Sequence, residues 1–198
     1  AMSCFTRWCN ILLLMAAGFL SLEATATPID LNDFIGDPEV TISSDGVSAE
    51  FTESESSTVV LLTNDPFLSD PFVIVPGPST ILTFNFVFNE APGDDGTFSA
   101  YLFLAEDGPL NGVLDVFSVD NTQAGMFSFD LSDYVSGSEV LVLGLQFELF
   151  DRSFYSADTT ASVSNLALTQ VVPVPAAVWL FGSGLIGLVG IARRKVRT

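Results

Sequence analysis

Carboxylates are the main chemically active side chains of this sequence, which has 24 Asp and Glu residues, six Lys and Arg residues, two Cys and no His. Without histidine, Ser-His-Asp and Cys-His relays and His-ligated zinc or haem are excluded. Oxygen ligands for a hard cation remain. Asp94 and Asp95, near Glu90, are the candidate calcium ligands, because Ca²⁺ takes carboxylate and carbonyl oxygens. The run 91–96 contains Pro and Gly and also suits a solvated hairpin turn.

A second run of this kind contains Asp115, Asp120 and Asn121, and we interpret it as a similar loop with the same two alternatives. Neither the twelve-residue calcium loop nor a Gly-rich nonapeptide repeat is present. Glycoside hydrolysis needs two carboxylates at a defined separation. Because any pair of so many acids would serve, the sequence predicts no catalytic residue.

Three aromatic residues, Tyr101, Phe103 and Tyr134, are candidate stacking platforms for sugar rings, although an ordinary second sheet face would place them equally well. Arg152 is the only base between Thr27 and Val172. We interpret it as a structural partner of nearby acids such as Asp151 or Glu148, or as an exposed side chain.

The charges divide the chain into three segments. Residues 27–171 hold 23 acids against one base, a net charge of −22, whereas the other bases lie near the two ends. Nucleic-acid binding by the middle segment is excluded, because phosphate neutralisation needs clustered Lys and Arg.

The first segment, residues 1–26, is predicted to be a secretory signal peptide. Arg7 precedes a ten-residue apolar run, 11–20, and the small residues Ala24 and Ala26 mark a cleavage site for signal peptidase after general secretion. Both cysteines, Cys4 and Cys9, lie in this segment, so the mature protein would have no disulfide. An uncleaved N-terminal anchor is the alternative.

The last segment, residues 172–198, is predicted to contain a transmembrane helix over 176–192. These 17 uncharged residues would form a helix of about 26 Å, at the short end of what spans a bilayer. The basic tail that would stay on the cytoplasmic side consists of Arg193, Arg194, Lys195 and Arg197. An ordinary C-terminal membrane anchor would look the same.

The whole tail resembles the PEP-CTERM sorting signal. The motif residues are Val172, Pro173, Val174, Pro175 and Ala176, followed by Trp-Leu-Phe-Gly-Ser-Gly-Leu and the terminal bases. Val174 replaces the central Glu of the family, and the motif is similar to its Val-Pro-Leu-Pro-Ala variant. The resemblance implies a Gram-negative source and processing by exosortase, with the protein anchored in the inner membrane first. It then implies release to the cell surface or to an exopolysaccharide (biofilm) matrix.

The middle segment, residues 27–171, is predicted to be all-β, because apolar residues alternate with period two and no 3.6-residue period is sustained. Eight or nine short strands separated by Gly- and Pro-rich turns predict a single two-sheet sandwich. A jelly roll is preferred, and an immunoglobulin-like sandwich is the alternative. The predicted strands fall near 40–43, 47–53, 58–63, 82–89, 98–104, 127–131, 143–149 and 162–169.

Three runs, 127–134, 139–147 and 161–168, with the pair Ser164 and Asn165, resemble the closing strands of carbohydrate-binding jelly rolls. The resemblance implies a binding scaffold. We therefore predict a non-enzymatic surface or matrix protein that binds polysaccharide or another protein, with no required cofactor apart from a candidate calcium ion. A secreted, acid-dependent glycan hydrolase and a simple anchored envelope protein are the alternatives.

Overall fold

The computed structural model describes residues 24–54, 57–64, 74–77, 79–135, 141–151 and 159–171. Nearly all of them belong to one compact unit, Thr25–Gln170. Most of the predicted signal peptide, Arg152, the sorting motif, the helix 176–192 and the basic tail lie outside the described residues. Among the described residues, no helix is long and apolar enough to cross a membrane.

The described residues form strands and only short helical turns. The strands are β1 (Ala24–Pro28), β2 (Ile35–Gly36), β3 (Val40–Ile42), β4 (Ser48–Thr52), β5 (Val59–Asn64), β6 (Thr80–Asn89), β7 (Gly96–Leu104), β8 (Val113–Val119), β9 (Gln123–Asp130), β10 (Leu143–Asp151) and β11 (Thr160–Val171). The helical turns are a four-residue helix, α1 (Gly108–Asn111), and two 3₁₀ turns, Leu31–Asp33 and Leu131–Tyr134.

The strands form two antiparallel sheets that pack face to face. Sheet A has the order β3-β4-β11-β6-β9, with β1 also paired to β11, and sheet B has the order β2-β5-β10-β7-β8. Each strand from β4 to β7 pairs with a strand from the second half of the domain, so that the pairs are β4–β11, β5–β10, β6–β9 and β7–β8. Successive pairs alternate between the two sheets and lie one inside the other in sequence, as in a long hairpin wrapped across both sheets. This nesting defines a jelly roll. The predicted all-β sandwich and its preferred topology are therefore confirmed.

Strand alternation explains why the chain folds this way. Along β6, Leu82, Phe84, Phe86 and Phe88 point inward and are buried, while Thr83, Asn85 and Val87 point outward. All eight predicted strands are present, with ends shifted by a few residues. The sequence missed β1, β2 and β8. In β8 the burial pattern does not alternate cleanly, because this strand is the edge of sheet B.

Phenylalanine rings fill the space between the sheets. Phe147 on β10 contacts Phe84 on β6 edge to face, with ring centroids 5.2 Å apart, and lies 6.3 Å from Phe98 and 6.5 Å from Phe34. Phe84 also lies against Phe117, Phe127 and Phe129. Since the described residues contain no cysteine, burial of these rings is the main source of stability in this part of the chain.

Candidate functional site

Asp94 lies in the turn between β6 and β7, as predicted, and it is joined there by two acids that the sequence did not predict as ligands. One carboxylate oxygen from each of Glu53, Asp94 and Asp151 lies within 4.8 Å of the others. We call these three residues the carboxylate cluster. Asp95, the other predicted calcium ligand, is exposed and is not one of its members.

Strand pairing brings the carboxylate cluster together. Glu53 directly follows β4, and Thr159 directly precedes β11, at the point where Thr52 pairs with Thr160. Asp151 ends β10 opposite Gly96, the first residue of β7. Ends of strands from both sheets therefore converge at this end of the sandwich.

Thr159, which is fully buried, connects the members of the cluster. Its hydroxyl donates to Asp94 Oδ2 at 2.8 Å and accepts from the Ala91 amide at 2.9 Å. Its own amide donates to Glu53 Oε2 at 3.2 Å. These bonds fix the positions of two carboxylates that would otherwise repel each other.

Burial and mutual repulsion dominate the electrostatics of the cluster. Glu53 and Asp151 each retain only 7% of their surface exposed. Loss of hydration, with a further contribution from the negative charge of Asp151, raises the pKa of Glu53 to about 7. Such burial, with the short spacing of the three carboxylates, suits a proton or a small cation.

A second group of polar side chains lies on the outer face of sheet B. Tyr101 is half-buried there and donates a hydrogen bond to Glu148 Oε1 at 3.3 Å. The Ser99 and Ser118 hydroxyls lie 3.0 Å apart beside them, and Val116 pairs with Tyr101 on the edge strand. We call these five residues the Tyr101 face.

The two titratable groups of the Tyr101 face, Tyr101 and Glu148, both have raised pKa values. Burial raises the pKa of Tyr101, with the nearby Glu148 charge adding to the effect, so the phenol stays a hydrogen-bond donor. Burial also raises the pKa of Glu148, while the hydrogen bond from Tyr101 opposes the shift. The face thus offers an aromatic ring, a carboxyl group and the exposed Ser118 hydroxyl, while the Ser99 hydroxyl is buried.

The raised pKa of Glu148 predicts a pH dependence. Because the folded protein holds this proton more tightly than the unfolded chain, stability should fall as the pH rises above the ordinary value of 4.5. Urea unfolding between pH 4.5 and 7.5 measures this effect, with a chelator present to remove divalent cations. The free energy of unfolding should decline less with rising pH in Glu148→Gln than in the wild type.

The raised pKa of Glu53 also makes stability fall with rising pH, in the wild type and in Glu148→Gln alike. Only the difference between the two pH profiles therefore reports on Glu148. The control is Glu50→Gln, which removes an exposed carboxylate on the outer face of sheet A. Parallel pH profiles for the wild type and Glu148→Gln would contradict the assignment.

Of the other two predicted platforms, Phe103 is wrong as an exposed ring, whereas Tyr134 is of intermediate exposure, as Tyr101 is. Phe103 is fully buried, and its ring lies where a side chain on Gly144 would otherwise project. Tyr134 is partly buried against the core, and this burial raises its pKa, with a further contribution from the negative charge of Asp115. Asp115 itself lies within β8, so the loop predicted over Asp115, Asp120 and Asn121 is instead a strand followed by a turn.

A shallow polar cleft of about 180 Å³ lies on sheet A at the ends of β4, β6 and β11. Its outward side chains are Glu50, Thr52, Asn89, Thr160 and Ser162. It contains no aromatic side chain that faces outward, because Phe51, which also borders it, is buried in the core. Ser164 and Asn165 lie further along β11, where Asn165 adopts a positive φ of 54° at a bulge in its pairing with β6.

No protein-family model and no curated protein matches this chain. It is similar to the xylan-binding module CBM15, with 10% identity and a TM-score of 0.43 over 77% of this chain and 100% of that one. It is also similar to the CBM22-2 xylan-binding domain from Paenibacillus barcinonensis Xyn10C, with 9% identity and a TM-score of 0.40 over 74% and 98% of the two chains.

A third similar structure is the secreted serine protease VesC from Vibrio cholerae, with 10% identity, a TM-score of 0.42 and 72% of this chain covered. The chain spans only 27% of the length of VesC. Because these identities and TM-scores are low, the fold is assigned from the strand order of this chain and not from the similar structures.

Proposed function

We propose that this chain is an exported surface or matrix protein whose jelly roll binds neutral glycans without hydrolysing them. The observation that carries the proposal is the Tyr101 face, where a half-buried ring lies beside a carboxyl group and two serine hydroxyls on sheet B. Ligand sites commonly combine an aromatic surface with a few polar groups that fix orientation.

The charge of the domain selects the class of glycan. With 23 acids against one base in residues 27–171, the domain repels anionic polysaccharides over about a Debye length. A neutral chain meets no such barrier, and its hydroxyls can donate to Glu148 and to the phenol oxygen of Tyr101, whose own proton is donated to Glu148. The exposed Ser118 hydroxyl is a further hydrogen-bonding partner. Neutral polysaccharide is therefore the proposed ligand.

The proposed route to the surface depends on the two terminal segments. We infer that residues 1–26 direct export with cleavage after Ala26, and that the PEP-CTERM-like tail is processed by exosortase. Cleavage there would leave Thr27 and Pro28 as the remainder of β1, which includes both Ala24 and Ala26. The support for this route is the order of basic, apolar and small residues at the start and the motif 172–176 at the end.

The glycan proposal is tested with the purified full chain on an array of neutral and acidic polysaccharides. We expect binding to neutral glycans, and Tyr101→Ala should weaken it at least about tenfold, equivalent to about 1.4 kcal/mol. Tyr101→Phe should retain most of the binding, because the ring remains. Ser162→Ala, in the polar cleft of sheet A, is the matched control and should bind as the wild type does.

Two results would overturn the proposal. Equal binding by Tyr101→Ala and the wild type would remove the Tyr101 face from the site. Release of shortened oligosaccharides from a bound glycan would identify a hydrolase instead.

A further inference from the structure

The carboxylate cluster has the spacing of ligands around one cation. Ca²⁺ binds six to eight oxygens at about 2.3–2.6 Å, so two oxygens on one ion are at most about 5.2 Å apart. The oxygens of Glu53, Asp94 and Asp151 all meet that limit. One oxygen from each carboxylate gives three of the six to eight oxygens that calcium binds.

A buried atom without a partner points independently to a missing ligand. Glu53 is 93% buried, and among the described residues its Oε1 atom has no hydrogen-bond donor, although Oε2 accepts a hydrogen bond from the Thr159 amide. A buried carboxylate oxygen without a partner costs several kcal/mol unless a proton or a cation compensates it. Native structures rarely leave such an atom uncompensated.

The described residues cannot neutralise the Glu53 carboxylate with a positive side chain, because none of them is a lysine, an arginine or a histidine. A proton on Glu53 is the compensation available without metal, in keeping with its pKa of about 7. Arg152, which follows Asp151 in the sequence and lies outside the described residues, is the one base of the domain and the rival of a metal ion.

We propose that Glu53, Asp94 and Asp151 bind one calcium ion, which ties the ends of β4 and β10 to the turn between β6 and β7. The site joins both sheets of the sandwich, since β4 and β6 belong to sheet A and β10 belongs to sheet B. It differs from the site predicted from the sequence, because Glu53 and Asp151 replace Asp95. It is also separate from the Tyr101 face, so the two proposals fail independently.

The first experiment titrates the purified full chain with CaCl₂, after treatment with chelator, by calorimetry. NaCl and MgCl₂ at matched ionic strength serve as references, because any salt will screen a domain of this charge. We expect one calcium ion per chain, with a dissociation constant at or below about 1 mM. The melting temperature should rise with calcium beyond the rise given by NaCl.

Three variants locate the ion. Glu53→Gln and Asp151→Asn should each weaken calcium binding by about 100-fold, as expected when a ligand charge is lost from a small site. Without metal, Glu53→Gln should melt no lower than the wild type, because it removes repulsion and a buried charge. This result separates lost binding from failed folding. Asp95→Asn, the neighbour of Asp94, is the matched control and should bind calcium normally.

The proposal is overturned if calcium and sodium stabilise the wild type equally at matched ionic strength. It is also overturned if Arg152→Gln binds calcium and the wild type does not, because the guanidinium group would then be the native cation. Loss of binding in Asp95→Asn together with normal binding in Glu53→Gln would move the site to the exposed turn.

Discussion

Replacing Phe147 by alanine should destabilise the domain by about 3–5 kcal/mol, a large fraction of the roughly 5–15 kcal/mol that stabilises a typical folded protein. Phe147 is fully buried, and its ring contacts Phe84 on the opposite sheet as well as Phe34 and Phe98. Removing it leaves a cavity at the place where the two sheets meet. The loss is the transfer free energy of the ring plus the cost of that cavity.

Urea unfolding of the full chain, followed by circular dichroism, measures the effect. Phe147→Leu keeps most of the volume and should cost about 1.5 kcal/mol or less. Met126→Ala is the surface control, because Met126 is 72% exposed, and it should lie within about 0.5 kcal/mol of the wild type. A loss below about 1 kcal/mol in Phe147→Ala would show that this ring does not hold the sheets together.

The sandwich could be predicted because each of its central strands is marked by a pattern of residues that are neighbours in the sequence. Alternating burial along β6 and β10 is written directly into the order of apolar and polar residues. Edge strands carry less of that signal. In β8, Val113 and Val116 are exposed and Asp115 interrupts the run, so period two is lost where only one side of the strand is paired.

The carboxylate cluster could not be predicted, because its members are distant in sequence. Glu53 and Asp151 are 98 residues apart, and only the pairing of β4 with β11 and of β10 with β7 brings them near Asp94. Asp94 carried a local turn signal, whereas Glu53 follows β4 and Asp151 is the last residue of β10, and neither has a pattern of its own. Nothing in the order of residues distinguishes them from the other acids of the domain.

Replacing both Pro173 and Pro175 by alanine should abolish processing of the C-terminal tail while leaving membrane insertion intact. Both residues lie outside the described part of the chain, and the prediction follows from the sequence. Proline fixes φ near −65° and has no amide hydrogen, so the two prolines favour an extended backbone ahead of residues 176–192. A peptidase needs an extended backbone at the bond it cuts, and alanine would let a helix continue through Val174.

An ordinary anchor has different requirements, namely length, apolarity and a basic cytoplasmic flank. The double variant keeps all three, and so does a control in which an unrelated 20-residue apolar helix followed by Arg-Arg-Lys replaces residues 172–197. In the native host, the wild type should lose the mass of its tail and leave the inner membrane. Both altered proteins should keep their tails and stay there, because recognition depends on the motif and not on hydrophobicity. Retention of the tail by the wild type as well would reduce the segment to a membrane anchor.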